Sequence, residues 1–289
     1  WRKGGCVIDA VGSWAEATLW ETIVLSVVNE LYYRGVVREG GPSVERLYEE
    51  GDRRLGRKIA ILTEHPEISF SDFGTRRRFS RVWQEHAVRA LASALPKSQM
   101  LGTSNVLLAK ELGIRPIGTF AHELYMVFSG IFRGSDEEMR DSHNKVLELW
   151  WEMYGEQFSI ALTDTYGTDF FFRDFTDEQA RKWRGLRHDS GDPVSFGKKA
   201  IAFYRERGID PKKKTLVFSD GLDIDAILRI HKELSPEVNT VFGWGTNLTN
   251  DLGLNALSLV MKVTIANSNR VVKLSDNIAK ATGDPLLLG

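Results

Sequence analysis

Cysteine occurs once in the 289 residues, at Cys6. That excludes an internal disulfide and a thiolate metal cage, and it fits a reducing compartment. An excess of charge of either sign is also missing. Lys and Arg number 38 against 39 Asp and Glu, a formal net charge of -1. No basic field therefore argues for a nucleic-acid partner, and no acidic tail argues for a solvating role. No apolar run approaches the ~20 residues needed to cross a bilayer. A cytoplasmic location is expected, with the nucleus added if the source is eukaryotic. There is no Gly-x-x-x-x-Gly-Lys-Ser/Thr loop and no Gly-x-Gly-x-x-Gly after the first strand. Gly-x-Ser-x-Gly and His-Glu-x-x-His are absent too, which argues against a P-loop ATPase, a serine-elbow hydrolase and a zincin. No signal peptide, Pro/Ser linker or low-complexity segment appears. The chain begins at Trp1 rather than Met and ends on Pro285-Leu286-Leu287-Leu288-Gly289, so further residues are expected at both ends.

What is present is a recurring unit: a short β-like run, a polar or glycine-containing turn, then an amphipathic helix. Residues 6–11 read as a first strand. Ser13 with Glu16 reads as a capping box opening a long helix. Its stripe of Leu19, Ile23, Val27 and Leu31, flanked by Trp20, Val24 and Val28, runs to Gly35. Further β-like runs end near Phe73, Leu101, Thr119, Leu162, Leu186, Phe218 and Phe242, with later ones near Val263 and Leu274. Helices are predicted over 78–95, 104–112, 121–132, 135–154, 194–208 and 224–234. Alternation of this kind implies parallel pairing with right-handed crossovers. Seven to nine units over roughly 220 residues suit an irregular, TIM-like (β/α) barrel better than an open sheet.

The polar clusters fall in one phase of that repeat. Asp72-Phe73-Gly74-Thr75-Arg76-Arg77-Arg78, Gly102-Thr103-Ser104-Asn105 and Gly118-Thr119-Phe120-Ala121-His122-Glu123 each follow a strand. So do Thr163-Asp164-Thr165-Tyr166-Gly167-Thr168, Arg187-His188-Asp189-Ser190-Gly191-Asp192-Pro193, Ser219-Asp220-Gly221 and Gly243-Trp244-Gly245-Thr246-Asn247. In a barrel those strand ends converge on one rim, where barrel enzymes keep their sites.

The chemistry of the rim suits a phosphorylated ligand. Glycines beside Ser and Thr expose N–H groups and hydroxyls to phosphate. Asp164, Asp189, Asp192 and Asp220 offer hard oxygens to Mg²⁺ carrying a diphosphate. Arg76, Arg77 and Arg187 present planar forks to a carboxylate or phosphate. His122, beside Glu123 at a helix start, is a candidate base, phosphate ligand or phosphorylated nucleophile. Blander readings stand beside these: the Arg76–78 run as a solvated face, Asp164 and Asp220 as helix caps, Trp14 and Trp20 as core. Asp192 and Pro193 suit the start of the following helix. His65, His86, His143 and His231 show no metal-ligand spacing and read as structural or surface residues.

These motifs, with Trp14-x-Glu16-x-x-Leu19-Trp20-Glu21 and Ser219-Asp220-Gly221-Leu222-Asp223, resemble the nicotinate phosphoribosyltransferase family from about residue 6 to 280. Ala17 and Thr18 depart from the common pattern of the first helix. The resemblance implies a type II phosphoribosyltransferase: an irregular α/β barrel packed on a second α/β domain only partly present in this chain. Residues 1–70 would contribute part of that second domain and connecting helices, and 71–289 the barrel. It implies transfer of phosphoribosyl from 5-phosphoribosyl 1-diphosphate to nicotinate, giving nicotinate mononucleotide and diphosphate within NAD synthesis. ATP hydrolysis would be coupled through a phosphohistidine at His122, with Mg²⁺ and a homodimer completing shared sites. Catalysis would fall to His122, Glu123 and Asp189. Thr119, Arg187, Arg76 and Thr75 would hold nicotinate, and Thr246, Gly245, Gly243, Asp220, Gly221 and Ser190 the phosphoribosyl donor. Asp164 and Asp189 are the expected Mg²⁺ ligands.

The family's N-terminal segment carries an aromatic residue that stacks on the pyridine, and this chain does not contain it. Asp72 is a candidate acceptor for an amide, which keeps a nicotinamide or quinolinate enzyme open. A Schiff-base aldolase using Lys273, inside the late strand 271–274, is the remaining enzymatic alternative. A degenerate binding protein is the non-enzymatic one.

Overall fold

A computed structural model describes residues 7–283. Three helices come first: α1 (Trp14–Ala17), α2 (Trp20–Arg38) and α3 (Val44–Glu64). The alternating part follows, with β1 (Ser69–Asp72), α4 (Arg81–Ala94), β2 (Met100–Thr103), α5 (Val106–Leu112), β3 (Arg115–Pro116), α6 (His122–Ile131) and α7 (Asp136–Tyr154). After these come β4 (Ile160–Leu162), α8 (Thr168–Asp174), α9 (Asp177–Lys182), β5 (Gly185–His188), α10 (Pro193–Glu206), β6 (Thr215–Phe218), α11 (Ile224–Leu234), β7 (Asn239–Trp244) and α12 (Thr246–Thr249).

The seven strands form one curled parallel sheet in the order β3-β2-β1-β7-β6-β5-β4, an α/β half-barrel. Its centre is the pairing of β1 with β7, where Phe70 lies opposite Phe242 and Asp72 opposite Trp244. Strand residues such as Leu186, Leu216 and Phe242 are buried, as expected for a parallel sheet covered on its faces. The helices start where polar side chains cap them: Ser80 accepts from Trp83 N, Asn105 from Leu108 N, Ser135 from Glu138 N and Asp223 from Ala226 N. A second apolar cluster of Tyr33, Leu47, Phe79, Trp83 and Leu252 ties α2 and α3 to α4.

Several sequence expectations change. Cys6 lies outside the described residues, and residues 7–11 are irregular rather than a strand. Ser13 donates its hydroxyl to the Glu16 carboxylate and its side chain accepts no backbone N–H, so the capping box does not form, and the first helix spans only Trp14–Ala17. α2 then runs through Gly35 to Arg38. Its buried side is Leu25, Ser26, Asn29 and Tyr33, while Leu19, Ile23, Val27 and Leu31 are exposed. Trp14 and Trp20 are also exposed rather than core. Helical period shows that a stripe exists, but not which element covers it. The two late strands do not join the sheet. They become a small antiparallel hairpin, β8 (Ile265–Ala266) with β9 (Asn269–Arg270), and a lone bridge between Lys273 and Thr282.

Candidate active site

The C-terminal ends of the strands bound a cleft of about 500 Å³. Thr75, Arg76, Thr119, His122, Arg187, Asp189, Asp220, Gly221, Gly245 and Thr246 line it, as do Phe73, Arg77 and Ser104. Two of the turns require glycine: φ is 82° at Gly191 and 57° at Gly221, a left-handed backbone that side chains disfavour.

Arg187 is the third residue of β5 and is largely buried, with the rest of its surface on the cleft. Its Nη1 donates to Thr119 Oγ1, its Nε to Ser219 Oγ at 2.8 Å and its Nη2 to Asp189 Oδ1 at 3.1 Å. The guanidinium lies 5.9 Å from the centre of the Phe73 ring. A fork held on three sides in this way is already oriented for a planar anion.

His122 opens α6 and is only 4% exposed. Its Nδ1 is 2.9 Å from Thr165 Oγ1, and its Nε2 is 3.0 Å from Asp189 Oδ2 and 3.7 Å from Asp164 Oδ1. Burial lowers the imidazole pKa, against the opposing effects of the Asp189 bond and of the Asp164 and Asp189 charges. Burial alone would raise the Asp189 carboxyl. The Arg187 charge and the bonds from His122 and Ser219 outweigh it and hold the group well below the usual carboxylate range.

Asp164 and Ser190 stand behind this layer. Asp164 Oδ2 accepts from Ser190 Oγ at 2.5 Å and from Ser275 Oγ at 3.4 Å, and Lys273 Nζ lies 3.6 Å away. Glu123 points elsewhere: its Oε1 accepts from Trp14 Nε1 at 2.8 Å, on the α1 side. Gly243 lies inside β7, where an added Cβ would fall 2.5 Å from the Phe73 ring, so its lack of a side chain makes room for that ring. Asp192 accepts from Ser195 N at 2.8 Å and Pro193 begins α10, as expected of a helix start.

The amide-acceptor expectation for Asp72 fails. The carboxylate is completely buried, with Thr103 Oγ1 at 2.6 Å and Gln84 Nε2 at 2.9 Å on one oxygen and Gly74 N at 2.6 Å on the other. It braces the first rim turn and has no oxygen free for a ligand. Arg76 is engaged as well, donating to Glu21 Oε1 at 2.6 Å, where Lys262 Nζ also sits at 3.2 Å.

Sequence reading missed a strap over the rim. Leu274 N donates to Thr165 O, Asp276 accepts from the Thr168 N–H and hydroxyl, and Ser275 Oγ donates to Ser190 Oγ. Lys280 Nζ donates to Asp189 O at 2.9 Å and pairs with Asp220. Lys273 thus belongs to a strap beside Asp164, not to a strand of the sheet. Nothing in the local pattern of residues 271–283 announces this, because the contacts are all long-range.

Residues 68–288 match the nicotinate phosphoribosyltransferase family. The chain belongs to that family. A crystal structure of nicotinate phosphoribosyltransferase from Porphyromonas gingivalis is 35% identical, with a TM-score of 0.85, over 96% of this chain and 70% of that one. The Vibrio cholerae enzyme is 36% identical at TM-score 0.85, covering 96% and 67% respectively. A putative nicotinate phosphoribosyltransferase from Saccharomyces cerevisiae is 31% identical at TM-score 0.83, covering 96% and 68%. Membership displaces the aldolase reading of Lys273.

The donor set does not favour a Mg²⁺ cage at the expected ligands. One atom each of His122, Asp164 and Asp189 fall within 4.8 Å of one another, and Asp164 Oδ1 is buried without a hydrogen bond. Yet imidazole suits Mg²⁺ poorly, and Arg187 and Lys273 already balance the two carboxylates. The group fits a histidine–carboxylate relay better.

Proposed function

We propose that this cleft transfers the phosphoribosyl group of 5-phosphoribosyl 1-diphosphate to nicotinate and couples the transfer to ATP through His122. Family membership supports the reaction: an enzyme of pyridine-nucleotide synthesis. The observation that carries the coupling is the placement of His122 between Asp189 and Thr165 at the cleft wall. With Asp189 accepting a hydrogen bond from Nε2–H, the lone pair is left on Nδ1, and the Thr165 hydroxyl beside it turns aside to free that lone pair for reaction. Nδ1 then forms a bond to the terminal phosphorus of ATP as the bond to the ADP oxygen breaks. Asp189 stabilises the charge that develops on the ring.

In the transfer step Arg187 and Thr119 grip the nicotinate carboxylate. The pyridine nitrogen bonds to the anomeric carbon while the carbon–diphosphate bond breaks, and negative charge passes to the leaving diphosphate. Thr246, Gly245, Gly221 and Asp220 face the donor, with Arg77 adding a cation at the cleft. Thr75 and Arg76 border the pyridine end. Mg²⁺ bound to the substrate phosphates would neutralise their charge, and Asp220, which lines the cleft and pairs with Lys280, would be the carboxylate to hold it. Residues 1–70 supply part of a second domain and the helices that connect it to the barrel, and the exposed face of α2 packs on a second copy of the chain. Glu21 and Thr22 of that helix line the cleft, so such a partner borders the site.

Incubation with γ-labelled ATP tests the coupling. Acid-labile phosphate is expected on the wild type and absent from His122→Ala; label that persists in the variant refutes the assignment. Diphosphate release with nicotinate, nicotinamide and quinolinate in parallel tests the substrate, and only nicotinate is expected to support it.

A further inference from the structure

Lys58 lies in α3, a helix with no residue on the cleft wall among the described residues. It is 6% exposed, and its Nζ donates to Asn247 O at 2.5 Å and to Asp251 Oδ2 at 2.7 Å, 5.5 Å from the centre of the Trp244 ring. A lysine this deeply buried persists only where its charge is paired and its protons are used. Here they are spent on one turn. Asn247 belongs to the segment after β7, and its Nδ2 donates in turn to Leu222 O at 2.9 Å, in the turn after β6. One ammonium therefore fixes the backbone carrying Thr246 and, through Asn247, the backbone carrying Asp220 and Gly221. Arg54 holds Asp251 from the outer side at 2.5 Å, which keeps the carboxylate in place for Lys58.

We infer that Lys58 is a positioning residue for the phosphoribosyl donor, acting from outside the cleft by clamping the two turns that receive it. The inference rests on the donor-binding reading of those turns. The nicotinate grip, Thr119 and Arg187, stands on β5 and the turn after β3 and meets the clamped turns only through Ser219, whose hydroxyl accepts from Arg187 Nε. Loss of Lys58 therefore weakens the donor far more than the pyridine, a split that general destabilisation would not produce.

Equilibrium binding of 5-phosphoribosyl 1-diphosphate by calorimetry is the test, since it needs no turnover. Lys58→Met is expected to weaken donor binding about tenfold, as for loss of a charged hydrogen bond, and to leave nicotinate binding within about twofold. Lys58→Arg, which keeps a cation over the same acceptors, should recover part of the loss. Should the Met variant fail to fold, Asp251→Asn removes the anchor of the ammonium and is expected to weaken the donor several-fold. Unchanged donor affinity in the folded variants overturns the inference, as does equal loss of both ligands. Diphosphate release by the wild type is read separately and bears on the proposed reaction alone.

Discussion

Asp189 Oδ2 stands 3.0 Å from His122 Nε2, while its other oxygen takes Arg187 Nη2 at 3.1 Å and Ser219 Oγ at 2.8 Å. One carboxylate thus joins the fork proposed for the pyridine carboxylate to the imidazole proposed for phosphorylation.

The pH dependence of His122 follows from its burial. Its pKa in the folded chain lies below the ordinary 6.5, so the unfolded chain binds more protons through that window. The contribution to stability is therefore complete above about 6.5 and falls as the pH drops beneath it. The ring also stays neutral and nucleophilic at neutral pH. The rate of His122 phosphorylation is expected to hold as pH falls through 6.5 and to decline only below it. An acid limb centred at or above 6.5 contradicts this. Asp189→Asn removes the negative charge that helps raise the imidazole pKa, so the limb should move further toward acid while the maximum rate falls about 10²-fold.

Arg187→Ala should raise the nicotinate KM by about 10- to 100-fold, the scale of a lost charged hydrogen bond, with bare ATP hydrolysis changed far less. It also leaves the Asp189 carboxylate without its cation, at about 3 kcal/mol or more of stability, so a melting curve belongs beside the kinetics. Arg187→Lys is expected to recover little, because an ammonium cannot reach Thr119, Ser219 and Asp189 together.

Asp72→Ala strips the acceptor from Thr103, Gln84 and Gly74 at once. A drop of about 2–4 kcal/mol in unfolding free energy is expected by chemical denaturation. The ratio of nicotinate to nicotinamide turnover should stay the same in whatever fraction folds; a swing toward nicotinamide would return Asp72 to the pyridine pocket.

The exposed stripe of α2 predicts an assembly phenotype. Leu31→Glu or Ile23→Glu places a charge on a face that a second copy is proposed to cover, and a buried unpaired charge is costly. Sedimentation should show a dimer for the parent and a monomer for the variants. Two monomers, or two dimers, would both remove α2 from the interface.

Much of this could be read in the sequence, for a physical reason. Most strands of the sheet and the rim turns carry local signals: buried apolar runs, turn glycines, and caps such as Asn105, Ser135 and Asp192, while β3 is an exposed Arg115–Pro116 pair. What could not be read depends on distant partners. The strap from Lys273 to Lys280 has no periodicity. Asp72 looks like any turn carboxylate until Gln84 and Thr103 close on it. Glu123 borders His122 in sequence yet turns to Trp14, because adjacent helical residues face different ways.

The order β3-β2-β1-β7-β6-β5-β4 has a consequence for how the chain comes together during synthesis. Strands β1 to β3 can pair with one another as they emerge, and so can β4 to β7, but in the sheet the two sets meet only along β1 and β7, from Ser69 opposite Val241 to Asp72 opposite Trp244. Thr119 and His122 belong to the first set, Arg187 and Asp189 to the second. Contacts of such long sequence separation form slowly. The cleft is therefore a late product of folding, assembled when two half-sheets dock, and a nascent chain that has not reached β7 carries both halves of the site without the site.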